Sequence, residues 1–139
     1  MKRLITKSEQ RADFTRMIIQ LLAFMVDRGD HHGVLVYQKE VERHPCAQEI
    51  YFRNNVSKTR SGMHPAGLAT DIVIISHDSK EALWDHEIFD AAGKFWESIG
   101  GKWGGKFNWA VNGHKDRDHF QYDRKRRRKY LEGQEDAEV

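Results

Sequence analysis

The sequence holds a single cysteine, Cys46, among 139 residues. That excludes an internal disulfide and any cysteine-rich zinc site, and it fits synthesis in a reducing cytoplasm. A strong charge of one sign is also missing. Against 23 Lys and Arg stand 21 Asp and Glu, a formal net charge of +2, so the chain as a whole is not built to bind polyanions. Long apolar runs are absent too: MIIQLLAFMV at 17–26 is interrupted by Gln20 and is far too short to cross a bilayer. The N-terminal MKRLITKSEQ has basic residues with no apolar stretch after them, a poor export signal. The expectation is a protein made in the cytoplasm without a signal peptide. No internal repeat is visible.

What is present is the composition of a globule. With 39% hydrophobic residues, a chain of this length can close one modest core. We expect one domain over 1–123, followed by a charged tail over 124–139. Thr6-Lys7-Ser8-Glu9 reads as a capping box. Phe14, Met17, Ile18, Leu21, Leu22 and Met25 then recur at helical steps, a core-facing stripe ending near Gly29. GVLVYQ at 33–38 is a short strand, and CAQEIYFRNN at 46–55 reads as a helix after Pro45. LATDIVIIS at 68–76 is the clearest strand, its continuous apolar run predicting burial on both faces. DHEIFDAAGKFWESIG at 85–100 is an amphipathic helix with Ile88, Phe89, Ala92, Phe95, Trp96 and Ile99 inward and Gly100-Gly101 as its stop. A Gly/Trp-rich stretch, a polar loop and the strand DHFQY at 118–122 follow. This order predicts a small α+β fold, helices on a mostly antiparallel sheet.

Chemistry concentrates in SGMHPAGLATD at 61–71 and DRDH at 116–119. A zinc hydrolase uses three protein ligands, commonly two histidines and a carboxylate, and keeps a fourth position for water. His64 in the turn before a strand, Asp71 near the strand's start and His119 opening the last strand supply such a set. Asp116, three residues before His119, and Asp118, directly before it, are carboxylates placed where a general base is needed. Each has a plainer reading. His64 beside Pro65 could be a turn residue, and His119 could pair with its acidic neighbours on an exposed strand. Asp71 is harder to dismiss, because a carboxylate inside LATDIVII would be buried and would need a partner or a metal. His31, His32, His77 and His86 sit in polar surroundings and read as surface histidines. Trp103, Phe107 and Trp109 read as core and rim packing.

HPAGLATD resembles the H-x-x-G-x-A-x-D core of the signature of the D-alanyl-D-alanine carboxypeptidase and L-alanyl-D-glutamate peptidase family, zinc enzymes of bacterial cell walls and phage lysis cassettes. ERHPCAQEIYFRNNVSKTRSGMH is similar to that family's Arg-x-x-x-x-Gln helix start and Ser-Lys-Thr turn. FWESIGGKWGGKFNW and DRDHF resemble the helix, Gly/Trp stretch and closing Asp-x-x-His-Phe of its phage endolysin branch. The likeness runs in order from about Arg43 to Phe120, and several matches in register are more specific than one. It implies zinc held by His64, Asp71 and His119, Asp116 as the catalytic carboxylate, and Arg43 binding substrate or stabilising the oxyanion. Without it, Arg43 reads as a surface partner of Glu40 or Glu42. Two departures stand out. Gly62 occupies the family serine position, with Ser61 one residue earlier. Asp116 stands where many relatives carry Glu, an exchange the phage branch shares.

The resemblance implies hydrolysis of a peptidoglycan stem-peptide bond, L-alanyl-D-glutamate on the phage likeness or D-alanyl-D-alanine on the wider one. A monomer acting on the wall after holin-dependent release is the matching expectation, with no nucleic-acid partner. RKRRRK at 124–129 reads first as a solvated, poorly ordered end beside acidic residues. It could also draw the enzyme to an anionic envelope. The rival classes are a metal-dependent nuclease and a basic nucleic-acid-binding module. Both leave Asp71 and the Asp116/His119 pair without a purpose.

Overall fold

A computed structural model describes residues 6–40, 67–106 and 116–138. The helix expected at 46–55 lies outside these. Helix α1 is Lys7–His32. The Thr6 hydroxyl oxygen accepts the Glu9 amide at 3.1 Å and donates to the Glu9 carboxylate at 2.8 Å. The expected reciprocal cap therefore forms, but side chain to side chain on its return leg. The helix runs past Gly29 to Gly33, whose left-handed backbone (φ 68°) caps the C-terminus by donating to the Gly29 carbonyl. Gly29 stays helical because its bare face meets the Val34 carbonyl, 3.1 Å from where a Cβ would stand.

Strands β1 (Val34–Glu40), β2 (Ala69–Ser76), β3 (Gly101–Trp103) and β4 (His119–Tyr122) form one antiparallel sheet in the order β1-β2-β4-β3. Helices α2 (Ile88–Ser98) and α3 (Arg124–Glu138) and a 3-10 turn at Gly104–Lys106 complete the described elements. Helix α2 begins three residues later than its apolar pattern suggested. His86 Nδ1 accepts the Ile88 amide at 3.1 Å, so His86 caps the helix and packs against His32.

The helical stripe of α1 is buried at Phe14, Met17, Ile18, Leu21 and Met25, and α2 buries Ile88, Phe89, Ala92 and Trp96. Phe95 is only partly buried, stacked on Phe24 at 4.6 Å. Strand β2 is buried through Ile72, Val73 and Ile74, as a run apolar on both faces requires. Phe14, Trp96 and Phe120 meet edge to face at about 6 Å in the centre, a favoured aromatic geometry. No described helix is long and apolar enough to cross a membrane.

The basic run departs from expectation. Rather than a solvated, poorly ordered end, 124–138 is helix α3, capped by the Asp123 carboxylate accepting the Arg126 amide at 2.9 Å. Arg127 is buried. Its guanidinium donates to both Asp13 oxygens, at 2.8 and 3.0 Å, and to the Ile99 carbonyl at 2.7 Å. The Tyr122 hydroxyl donates to Asp13 as well, at 2.8 Å. Burial, then the bond to Asp13, raises the Tyr122 pKa above its ordinary value. Arg124 adds a bond to Gln10 at 2.9 Å, so two residues of the basic run fasten α3 to α1.

Candidate metal centre

Asp71 and His119 face each other as register partners on β2 and β4, the two inner strands of the sheet. Inner strands have neighbours on both edges, so this pair is positioned by main-chain ladders rather than by loops. His119 Nδ1 lies 3.5 Å from Asp71 Oδ1. A bulge in β1 between Gln38 and Glu40 falls opposite Asp71. Bulges of this kind re-aim side chains beside active sites.

Asp116 reaches the same point by a turn. The His119 amide donates to the Asp116 carbonyl at 3.2 Å, closing residues 116–119 into a tight loop. Asp116 Oδ2 then stands 3.8 Å from His119 Nδ1. The Asp118 carbonyl accepts the Ile72 amide at 2.9 Å, which fastens the turn to β2. One carboxylate oxygen from each of Asp71, Asp116 and Asp118 lies within 4.8 Å of the others. Three of the sequence candidates are thus assembled at one point: Asp71, Asp116 and His119. His64 and Arg43 lie outside the described residues, as do Ser61, Gly62, Phe107 and Trp109.

Asp118, named from the sequence only as a carboxylate beside His119, joins the cluster as well. Strict alternation would send it away from His119, but it precedes β4 in the turn, where alternation does not hold. Its carboxyl is pushed up to about 7, by burial first and then by the charges of Asp71 and Asp116. At His119 burial opposes the charged ring, yet the hydrogen bond that the charged ring gives Asp71 and the charges of Asp116 and Asp71 outweigh it and raise the pKa. Three carboxyl groups gathered beside one imidazole make a partly buried site that could hold a cation.

The donor chemistry can be tested against candidate ions. Three carboxylates alone make an oxygen set suited to magnesium, calcium or manganese. The buried His119 imidazole adds a nitrogen donor, and a mixed carboxylate and imidazole set is what zinc accepts. The residues present therefore fit zinc, with Asp71 and His119 able to hold it.

The Gly/Trp stretch supports this turn from beneath. Trp103 Nε1 donates to the Arg117 carbonyl at 2.7 Å, and the Arg117 guanidinium reaches Asp90 at 2.8 Å on α2. Gly93 and Gly105 press directly on the Trp103 ring, where any side chain would collide. At Gly104 a Cβ would collide with the Asp116 carbonyl and stand 2.9 Å from the His119 Cβ. Gly104→Ala is therefore expected to push the 116–119 turn off its seat against Gly104, at a cost of about 1–3 kcal/mol. Urea unfolding of the two proteins measures it, and an unchanged midpoint would mean the turn yields freely.

No family model matches the chain, and no curated protein matches it significantly. Among solved structures, it is similar to the Serratia marcescens L-Ala D-Glu endopeptidase ChiX, with a TM-score of 0.59 and 23% sequence identity, covering 81% of this chain and 79% of that one. At that identity the likeness speaks for architecture: this chain and that endopeptidase share a fold, in which the described residues here pack three helices on a four-stranded antiparallel sheet.

Proposed function

We propose that the protein is a zinc peptidase of bacterial peptidoglycan that hydrolyses the L-alanyl-D-glutamate bond of the stem peptide, as an endolysin. The observation that carries this reading is the meeting of Asp71, His119 and Asp116 at one point of a fold shared with an endopeptidase of that specificity. The nucleic-acid-binding alternative gives this meeting point no task.

His64, Asp71 and His119 would hold the metal. Zinc, when bound, supplies a Lewis acid and a water whose pKa falls to about 7. Asp116 takes a proton from the attacking water and returns it to the leaving amine, as a positioned carboxylate can. Arg43 balances the negative charge that develops on the scissile carbonyl oxygen. The exposed Lys125, Arg128 and Lys129 of α3 hold the monomeric enzyme near an anionic envelope, each charge worth about 1 kcal/mol at such a surface. Holin-dependent release would give a cytoplasmic product access to the wall.

Digestion of purified peptidoglycan by the wild type and by His64→Ala, with and without chelator, tests the reading by mass spectrometry of new amino termini. New amino-terminal D-Glu, lost with chelator and lost in the variant, is the expected result. Release of free D-Ala would move the cut to the D-alanyl-D-alanine bond. No cleavage by folded, zinc-loaded protein would overturn the peptidase assignment.

A further inference from the structure

Gln121 follows His119 by two residues on β4, so the two side chains leave the strand on the same face. Gln121 Oε1 lies 2.8 Å from His119 Nε2. An amide oxygen can only accept, so Nε2 carries the hydrogen of this bond. In the neutral ring the lone pair then belongs to Nδ1, the atom that faces Asp71 at 3.5 Å and Asp116 at 3.8 Å. The main chain beneath the acceptor is itself held, because the Gln121 carbonyl accepts the indole N–H of the fully buried Trp96 at 3.0 Å.

We infer that Gln121 is the positioning residue of the metal centre: its side-chain oxygen fixes the His119 ring in the Nε2–H tautomer and aims Nδ1 at the carboxylates. The inference rests on the zinc-peptidase reading and adds the atom through which His119 binds. Histidine ligands are commonly oriented by an acceptor on their far nitrogen, often a carboxylate. Here the acceptor is a neutral amide. It orients the ring without adding another negative charge to a pocket that already gathers Asp71, Asp116 and Asp118.

The test uses the full-length protein. Zinc affinity is measured by competition with a chromogenic chelator for the wild type, Gln121→Leu and Gln121→Glu. Loss of the far-side acceptor typically weakens metal binding about 10–100-fold. Gln121→Leu should show that loss, while Gln121→Glu, which keeps an acceptor, should recover most of the affinity. Nitrogen-resolved NMR of the zinc-loaded wild type should find the hydrogen of His119 on Nε2 and the metal on Nδ1. Wild-type affinity in Gln121→Leu, or a hydrogen found on Nδ1, would overturn the inference while leaving the zinc site in place. A wild type that takes up no zinc would remove the metal reading and this inference together. Should Gln121→Leu fail to fold, the wild-type tautomer alone decides.

Discussion

Asp116→Asn should, on the zinc-peptidase reading proposed above, lower stem-peptide hydrolysis about 10²–10⁴-fold, the usual contribution of a positioned general acid–base group, while the protein stays folded and keeps its zinc. The substitution is nearly isosteric and leaves untouched the backbone bond from the His119 amide to the Asp116 carbonyl that shapes the turn. It removes only the ability to take a proton. Asp116 Oδ2 stands 3.8 Å from His119 Nδ1, close to the centre without being its first neighbour there. That is the position expected of a base serving a water beside a ligand. The informative comparison is Asp118→Asn, which alters a carboxyl of the same cluster that the mechanism does not use. If Asp118→Asn loses activity and Asp116→Asn keeps it, the two residues exchange roles. If zinc content falls in step with activity in Asp116→Asn, the carboxylate is a ligand and not the base.

The second large effect lies far from the chemistry. Asp13→Ala should destabilise the fold by about 3–5 kcal/mol, because it strands a buried guanidinium. Arg127 gives Asp13 two hydrogen bonds, and Tyr122 gives it a third. Removing the acceptor leaves all of these donors in a region with little water, which costs more than the pair itself contributes. Arg127→Met should cost less, since the Asp13 carboxylate keeps the Tyr122 hydroxyl. Replacing both partners by apolar side chains should recover much of the loss, as exchanges of buried ion pairs often do. Urea unfolding of the two single variants and the double variant measures the coupling. A loss below about 1 kcal/mol in Asp13→Ala would mean that water reaches the pair and that α3 is only loosely attached.

These two sites also mark what the sequence could convey. Periodicity is a local signal, so the stripe from Phe14 to Met25 and the run from Ile72 to Ile74 were legible, and both are core. Asp71 could be singled out because a carboxylate within an apolar strand carries its own question. The motif spacing joined it to His119, and the strand register pairs them. Asp118 was named as a carboxylate beside His119, but its place in the cluster could not be read, because alternation assigns faces only inside a strand and the residue sits one position before β4 begins. Gln121 escaped because an amide on a half-buried strand has many possible partners. Arg127 was hidden within six consecutive basic residues whose local pattern says solvent. Its partner lies 114 residues away, a separation that no local window spans. The end of α1 was misplaced for a related reason: Gly29 has the look of a helix stop, but the close approach of Val34 favours a residue without a side chain there.

The Asp13 to Arg127 pair also orders events in the life of the chain. Asp13 lies in α1 and Arg127 in α3, 114 residues later. Until the ribosome has made α3, the carboxylate has no guanidinium to meet, and burying it alone would be costly. Contacts so distant along the chain slow folding. In exchange they tie the burial of Asp13 to the arrival of α3.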